Sequence, residues 1–321
     1  MSGQPLLSVV VPVYRNEHSI SPLVDQLNQL DLRVDHRLQC VFVIDASPDN
    51  SRALLRSALL SVGFQAVLID HARNFGSFAA IRTGMEHATG EYVAVMAADL
   101  QEPPELMDKF LSELMNSDVQ VVVGERVSRA GDRSRDRMAA SLFWRLYRRF
   151  VLPSMPPGGV DVFACTSDVR SRLLEFKEAN SSLVGLLFWL GFRTKAVQYD
   201  RQSRADHQSS SWTFAKKVRY MTDSIYSFTD LPLRLLRLIG SVGLFASVAV
   251  AVAVAIARWR GNIKVPGYTP LILALSISTM LMLSALGIVG SYVWRAYENT
   301  KRRPLAVVER IEFHDPKADQ S

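Results

Sequence analysis

Asp99 is the residue whose setting in this chain most suggests chemistry. It follows a β-forming run over residues 92–96, and Leu100-Gln101-Glu102-Pro103-Pro104-Glu105 comes next as the expected opening of a helix. Proline in a first helical turn with an acid just after it fits a helix start. A carboxylate at the carboxyl end of a parallel strand lies where open α/β sheets bind ligands. There it can hold a divalent cation against a substrate phosphate. Three other apolar runs end the same way. Tyr14-Arg15-Asn16-Glu17 follows residues 6–13, Asp45-Ala46-Ser47-Pro48-Asp49 follows 39–44, and Ala72-Arg73-Asn74-Phe75-Gly76 follows 67–70. A core strand with a capped turn explains any one of these, but packing alone does not readily give all four.

The elements that must position these residues alternate. Ile20, Leu23, Leu27 and Leu30 mark a helix after the first strand, a second helix starts near Ser51, and a third carries Ile81, Met85 and Ala88. Strand and helix at βαβ spacing predict a parallel sheet with helices on both faces, and the polar strand ends then share one rim. Further on, a strand over 119–124 leads to Arg126. Pro156-Pro157-Gly158-Gly159-Val160 forms a loop before Asp161 and the apolar run Val162-Phe163-Ala164.

With 321 residues and 48% hydrophobic content, the chain can form one substantial domain plus an appendage. Cys40 and Cys165 are the two cysteines, expected as free thiols in a reducing compartment. Residues 1–5 do not read as a secretory signal. A net charge of +6 and a pI near 9.4 suit an anionic partner, such as a membrane surface or nucleotide phosphates. Nucleic acid fits less well, because the basic residues sit beside apolar helical stripes.

Residues 238–257 and 269–293 carry no charge and are long enough to cross a bilayer core. The connection between them holds Gly261, Pro266 and Gly267, so a hairpin returning the chain to its starting side is expected. Arg234, Arg237, Lys301, Arg302 and Arg303 flank its outer ends, while Arg258, Arg260 and Lys264 occupy the turn, so charge asymmetry orients it weakly. Phe214, Val218, Met221, Ile225 and Phe228 form one amphipathic stripe, and Met138, Leu142, Leu146 and Phe150 form another. Both have basic neighbours and read as interfacial helices that would lay the site against a membrane.

The ordered set P-V-Y-x-N-E, D-x-S-x-D, R-N-x-G, G-E-Y-V and A-D-L-Q-x-P-P-E resembles the inverting family 2 glycosyltransferases. More narrowly, it resembles the polyprenyl-phosphate type, from Leu6 to about Ile311. The resemblance implies a GT-A, Rossmann-like α/β domain over 1–211, a juxtamembrane amphipathic helix over 212–234, a transmembrane hairpin over 235–295 and a cytoplasmic tail over 296–321. It implies an integral membrane enzyme, with its catalytic domain and both termini in the cytoplasm. The implied reaction moves a sugar from a nucleotide sugar to polyprenyl phosphate, with inversion, assisted by Mg²⁺ or Mn²⁺.

By the same resemblance, Asp99 is the metal ligand and Asp161 the catalytic residue, either as a base or as an orienting group. Pro12, Tyr14, Glu17, Asp45, Arg73, Ala98, Asp99 and Gln101 would bind the donor. Arg126, Arg137 and Ser141 would bind the lipid phosphate, and Arg201 and Arg204 would sit on a loop closing over the diphosphate. A homo-oligomer is compatible with these features.

Several positions depart from the family pattern. The usual D-x-D reads Ala97-Ala98-Asp99, Ile44 precedes Asp45, Ala46 replaces a glycine, Ser77 stands where lysine or glutamine is common, and Ser211 precedes Trp212 in place of lysine. These losses leave open a weakened, nucleotide- and lipid-binding scaffold that recruits a flippase or another transferase. A processive polysaccharide synthase is the nearer enzyme alternative. It would require a Q-x-x-R-W motif, of which Gln208 and Trp212 are present here.

Overall fold

The computed structural model describes residues 4–126, 145, 147–149, 152–156, 159–178, 181–202, 222–223, 225–226, 229, 231–260 and 268–316. The βαβ spacing produces strands β1 (Leu7–Val13), β2 (Leu38–Ile44), β3 (Gln65–His71) and β4 (Tyr92–Val95), joined by helices α1 (Ile20–Arg33), α2 (Ser51–Leu59) and α3 (Ser77–His87). Helix α4 (Glu105–Asn116) leads to β5 (Val121–Arg126), and β6 (Phe163–Thr166) to α5 (Ser167–Glu175), α6 (Leu183–Trp189) and β7 (Thr194–Tyr199). Two long helices, α7 (Leu231–Trp259) and α8 (Tyr268–Thr300), precede a last strand, β8 (Val308–His314).

The eight strands form one sheet in the order β7-β5-β6-β4-β1-β2-β3-β8. It is mixed but mostly parallel: β6 runs against β4 and β5, and β8 runs against β3. Alternate side chains of each central strand supply two cores. Val9, Val11, Val13, Cys40, Phe42 and Ile44 face α1, α2 and α4, whose contacts include Leu27, Leu55 and Phe110. Val10, Val41 and Val43 face α3, α5 and α6, meeting Met85, Leu173 and Leu187. Helices therefore cover both faces, and burying each such side chain contributes about 1.5–3 kcal/mol. Both cysteines are free and buried, and burial pushes the Cys165 thiol up to about 12.

Two local expectations change. The expected helix start at Leu100 falls instead at Glu105, with Pro104 as its N-cap. Leu100 sits in the left-handed region, and consecutive prolines bias the residues before them away from helix. The stretch expected as a tail contributes β8, which pairs with β3 along Ala66↔His314 to His71↔Val308. Arg52 ties this strand down, donating to both Asp70 oxygens at 2.8–2.9 Å and to Glu312 at 3.0 Å. Among the described residues, 277–300 of α8 is long and apolar enough to cross a membrane. Most of both amphipathic stripes lies outside the described residues.

Candidate active site

The sheet directions bring the expected residues to one rim. The carboxyl ends of β1, β2, β3, β4, β5 and β7 lie there, together with the amino end of the antiparallel β6, which Asp161 precedes. Pro12 has no N–H to offer a neighbour, and β4 pairs with β1 only as far as Val10↔Val95. The missing donor thus falls where the rim opens.

On one half of the rim, the loops after β1 and β2 clamp each other. The backbone N–H of Arg15 donates to Ser47 Oγ at 2.7 Å, that of Asn16 to Ser51 Oγ at 3.1 Å, and that of Glu17 to Asp49 Oδ2 at 3.1 Å. In return, Asn50 N–H donates to Glu17 Oε2 at 3.0 Å. Arg15 and Ala46 both sit at positive φ, 58° and 49°, a conformation costing a non-glycine residue about 1–2 kcal/mol. Ala46 therefore adopts the backbone that glycine would favour at this position. Tyr14 is left exposed at the rim, and Arg73 stacks over the Phe75 ring with 4.0 Å to its centroid.

Asp45 is the hub of the next loop. It is 3% exposed and accepts from the backbone N–H of Phe75 at 2.8 Å and of Gly76 at 2.7 Å. His71 Nδ1 lies 2.9 Å from Asp45 Oδ1, the oxygen that also accepts from Phe75, and His71 Nε2 lies 3.0 Å from Thr83 Oγ1. Burial by itself would raise the Asp45 pKa, but the bonds from His71, Phe75 and Gly76 outweigh it and hold the group below its ordinary value. Glu17 and Asp45 thus organise the neighbouring rim loops through their carboxylates. His71 and Asp49 had no assigned role in the sequence reading, although Asp49 completes the D-x-S-x-D motif.

Asp99, Gln101 and Glu102 occupy the turn after β4. Gln101 N–H donates to Asp99 Oδ1 at 3.4 Å, and Ala98 beside it is buried. The chain after β7 is pinned onto this turn: Gln202 N–H donates to Gln101 O at 2.9 Å, Gln101 Nε2 donates to Gln202 O at 3.2 Å, and Arg201 contacts Gln101 Oε1. Glu102 is 2% exposed, and its Oε2 has no hydrogen-bond partner among the described residues. Burial first, then the charge of Asp99, pushes its pKa up to about 7 against the pull of Arg201 and Arg126. Carboxylate and amide oxygens of this kind suit a hard divalent cation, which commonly takes one or two carboxylates and completes its shell with phosphate oxygens. Among the described residues no three His, Cys, Asp or Glu side chains group as a protein-only cage.

Arg126 pairs with Asp161 and stands opposite Tyr199 in the β5–β7 register. Gly124 makes room for that tyrosine: a Cβ there would lie 2.8 Å from Tyr199 Cε1. Burial and the nearby Arg201 cation lower the Arg126 pKa. Arg126 Nε, like Glu102 Oε2, is buried with no partner among the described residues, while Tyr199 lies against the Arg126 guanidinium and helps hold it charged. Buried polar atoms are seldom left unpaired, so two in one region mark a place where polar ligand atoms belong. Glu102 and Tyr199 were not anticipated as site residues; the acid three positions after Asp99 was the available signal. Arg137, Ser141 and Arg204 lie outside the described residues.

Residues 8–174 match the description "Glycosyl transferase family 2". The chain belongs to this family of glycosyltransferases. It is 30% identical over 307 residues to an uncharacterised glycosyltransferase of Synechocystis sp., covering 95% of each chain. A prophage bactoprenol glucosyl transferase homolog of Escherichia coli K12 is 27% identical over 310 residues, covering 95% of this chain and 99% of that one. Among solved structures, mannosyl-3-phosphoglycerate synthase of Rubrobacter xylanophilus aligns over 83% of this chain and 80% of its own, with 15% identity and a TM-score of 0.49.

Proposed function

We infer that this enzyme transfers a sugar from a nucleotide sugar to a polyprenyl phosphate at the cytoplasmic face of a membrane, with inversion at the anomeric carbon. The observation that carries this reading is the pair of unpaired buried polar atoms, Glu102 Oε2 and Arg126 Nε, beside Asp99 and Arg201 on one rim. Carboxylates for a cation and guanidiniums for phosphates are what two phosphorylated substrates need side by side. The bactoprenol glucosyl transferase relative, which this chain matches along nearly its whole length, supports a polyprenyl-phosphate acceptor.

Chain topology supports the membrane placement. Because β8 joins the same sheet as β1–β7, the chain must return to its starting side after α7 and α8. Tyr292 Oη donates to Thr229 O at 3.2 Å, and Arg295 pairs with Asp223 at 2.7 Å, so the end of α8 lies beside the approach to α7. Helices of this length, roughly 43 and 50 Å at 1.5 Å per residue, exceed a hydrocarbon core of about 30 Å. An antiparallel hairpin crossing twice meets these conditions and leaves the catalytic domain and both termini on one side.

In the reaction, a phosphate oxygen of the lipid attacks C1 of the sugar from the side opposite the nucleotide. The O–C1 bond forms as the bond from C1 to the diphosphate oxygen breaks, and the nucleoside diphosphate leaves with that electron pair. Mg²⁺ or Mn²⁺, held by Asp99, would neutralise charge on the departing diphosphate. Tyr14 and Arg73 flank the nucleotide on loops that Glu17, Asp45 and Asp49 hold rigid. Arg201, pinned at Gln101, covers the diphosphate. Arg126 receives the lipid phosphate. That phosphate is already ionised near neutral pH, so Asp161 serves chiefly to orient Arg126.

Thermal stabilisation of the detergent-purified protein against a panel of nucleoside diphosphates, with and without Mg²⁺ or Mn²⁺, tests the donor half, because ligands of the folded state raise its stability by mass action. A metal-dependent shift from one nucleotide is expected. No shift from any of them would overturn the reading.

A further inference from the structure

Glu102 differs from the other deeply buried acids of the domain. Asp31, 3% exposed, meets His36 Nδ1 at 2.8 Å and accepts from Leu38 N–H at 3.3 Å. Asp45 has the partners described above, and Asp70, 8% exposed, receives Arg52. Each of these carboxylates is explained by the protein's own donors. Glu102, 2% exposed, leaves Oε2 without one. A buried carboxylate oxygen that no internal donor meets is satisfied either by a proton or by an external cation, and a divalent ion shared with a second carboxylate supplies the latter.

Its charged neighbours narrow the choice. They are Asp99, Arg201 and Arg126. Arg126 pairs with Asp161 and Arg201 contacts Gln101, and neither guanidinium donates to Glu102 Oε2. Leu100, at φ 56°, bends the chain between Asp99 and Glu102. Ala97, where the family pattern carries an acid, offers only a methyl group.

We propose that Glu102 and Asp99 together form a divalent-cation site, with Glu102 supplying the carboxylate that Ala97 lacks. The assignment rests on the sugar-transfer reading for the diphosphate that would share the cation. It adds a residue outside the usual D-x-D pair, and it explains how a chain with one of those acids missing can still bind the ion.

The test is Mn²⁺ binding by the full-length, detergent-purified protein, read from loss of the free-ion EPR signal, alone and with inorganic pyrophosphate. Glu102→Gln is expected to weaken Mn²⁺ binding at least tenfold. Without metal, this variant should melt no lower than the parent, because a neutral group is less costly to bury. The double variant Ala97→Asp/Glu102→Gln is expected to recover most of the lost affinity, and it reads the same property if the single variant folds poorly. Parental Mn²⁺ affinity in Glu102→Gln, or no recovery in the double variant, would overturn the role of Glu102 and leave the transfer reading standing. No Mn²⁺ binding by the parent would overturn both this proposal and the cation's part in the reaction, whereas lipid-linked product is measured separately.

Discussion

Replacing Asp45 by asparagine tests whether this residue acts through the loop it holds. The carboxylate accepts from Phe75 N–H, Gly76 N–H and His71, and it is nearly fully buried. Asparagine keeps the shape and one acceptor oxygen, but its amide N–H₂ then faces at least one donor. Leaving one buried donor unpaired costs about 1–3 kcal/mol, and bonds to a charged acceptor are worth more than neutral ones, so a loss of about 2–3 kcal/mol is expected. Asp45→Ala, which abandons all three donors, should cost roughly 3–5 kcal/mol by the same reasoning. The assay is urea unfolding of the detergent-purified protein between pH 3 and pH 8. The folded-state pKa of Asp45 lies below its unfolded value, so the stabilisation is fully present above about pH 4. It is lost as pH falls through the lower folded value, and the gap between parent and Asp45→Asn should close there. Because the loop carries Arg73, nucleotide affinity should fall along with stability. Unchanged stability at pH 7, or a gap that does not depend on pH, would refute the argument.

Other substitutions probe other joints of the account. Arg52→Ala removes the ties to Asp70 and Glu312 and should cost about 2 kcal/mol, with faster proteolysis around residues 301–316 as β8 loosens. Gly124→Ala puts a Cβ 2.8 Å from Tyr199 Cε1 and from Val162 Cγ2, which should cost about 1–3 kcal/mol of stability and raise KM for the lipid phosphate more than for the nucleotide sugar. Asp161→Asn, if Asp161 orients Arg126, should raise KM for the lipid phosphate with a modest fall in kcat, whereas loss of a general base would lower kcat by about 10²–10⁴-fold. Steady-state kinetics with each substrate varied in turn separates those outcomes.

Much of this was legible in the residues because strand ends announce themselves. The valine-rich runs of β1 and β2 stop at polar residues, and a parallel sheet forces those stops onto one rim. Asp99, Asp45 and Arg126 could therefore be placed in advance. What the carboxylates do there was harder to read. Periodicity reveals that Glu17 and Asp45 stand at the rim, but not that backbone N–H groups of neighbouring loops occupy them, since those bonds span 30–33 residues in sequence. Glu102 lies within the stretch expected to open a helix; the left-handed Leu100 and the delayed start of α4 leave it instead as a buried residue of the turn. The β8 segment was hidden for a different reason. A seven-residue strand bearing Glu309, Arg310 and Glu312 beyond two apolar helices reads as a polar tail, and only its antiparallel register against β3 shows it to be part of the sheet.

The most direct measurement is transfer of radiolabelled sugar into butanol-extractable lipid by protein reconstituted in vesicles containing undecaprenyl phosphate, supplied with the nucleotide sugar picked out by the stabilisation panel. The account predicts a metal-dependent glycosyl-phosphoryl lipid of inverted anomeric configuration, and loss of that product in Asp99→Asn. Label that stays out of the lipid while reaching a soluble acceptor, or a lipid product undiminished in Asp99→Asn, would contradict it.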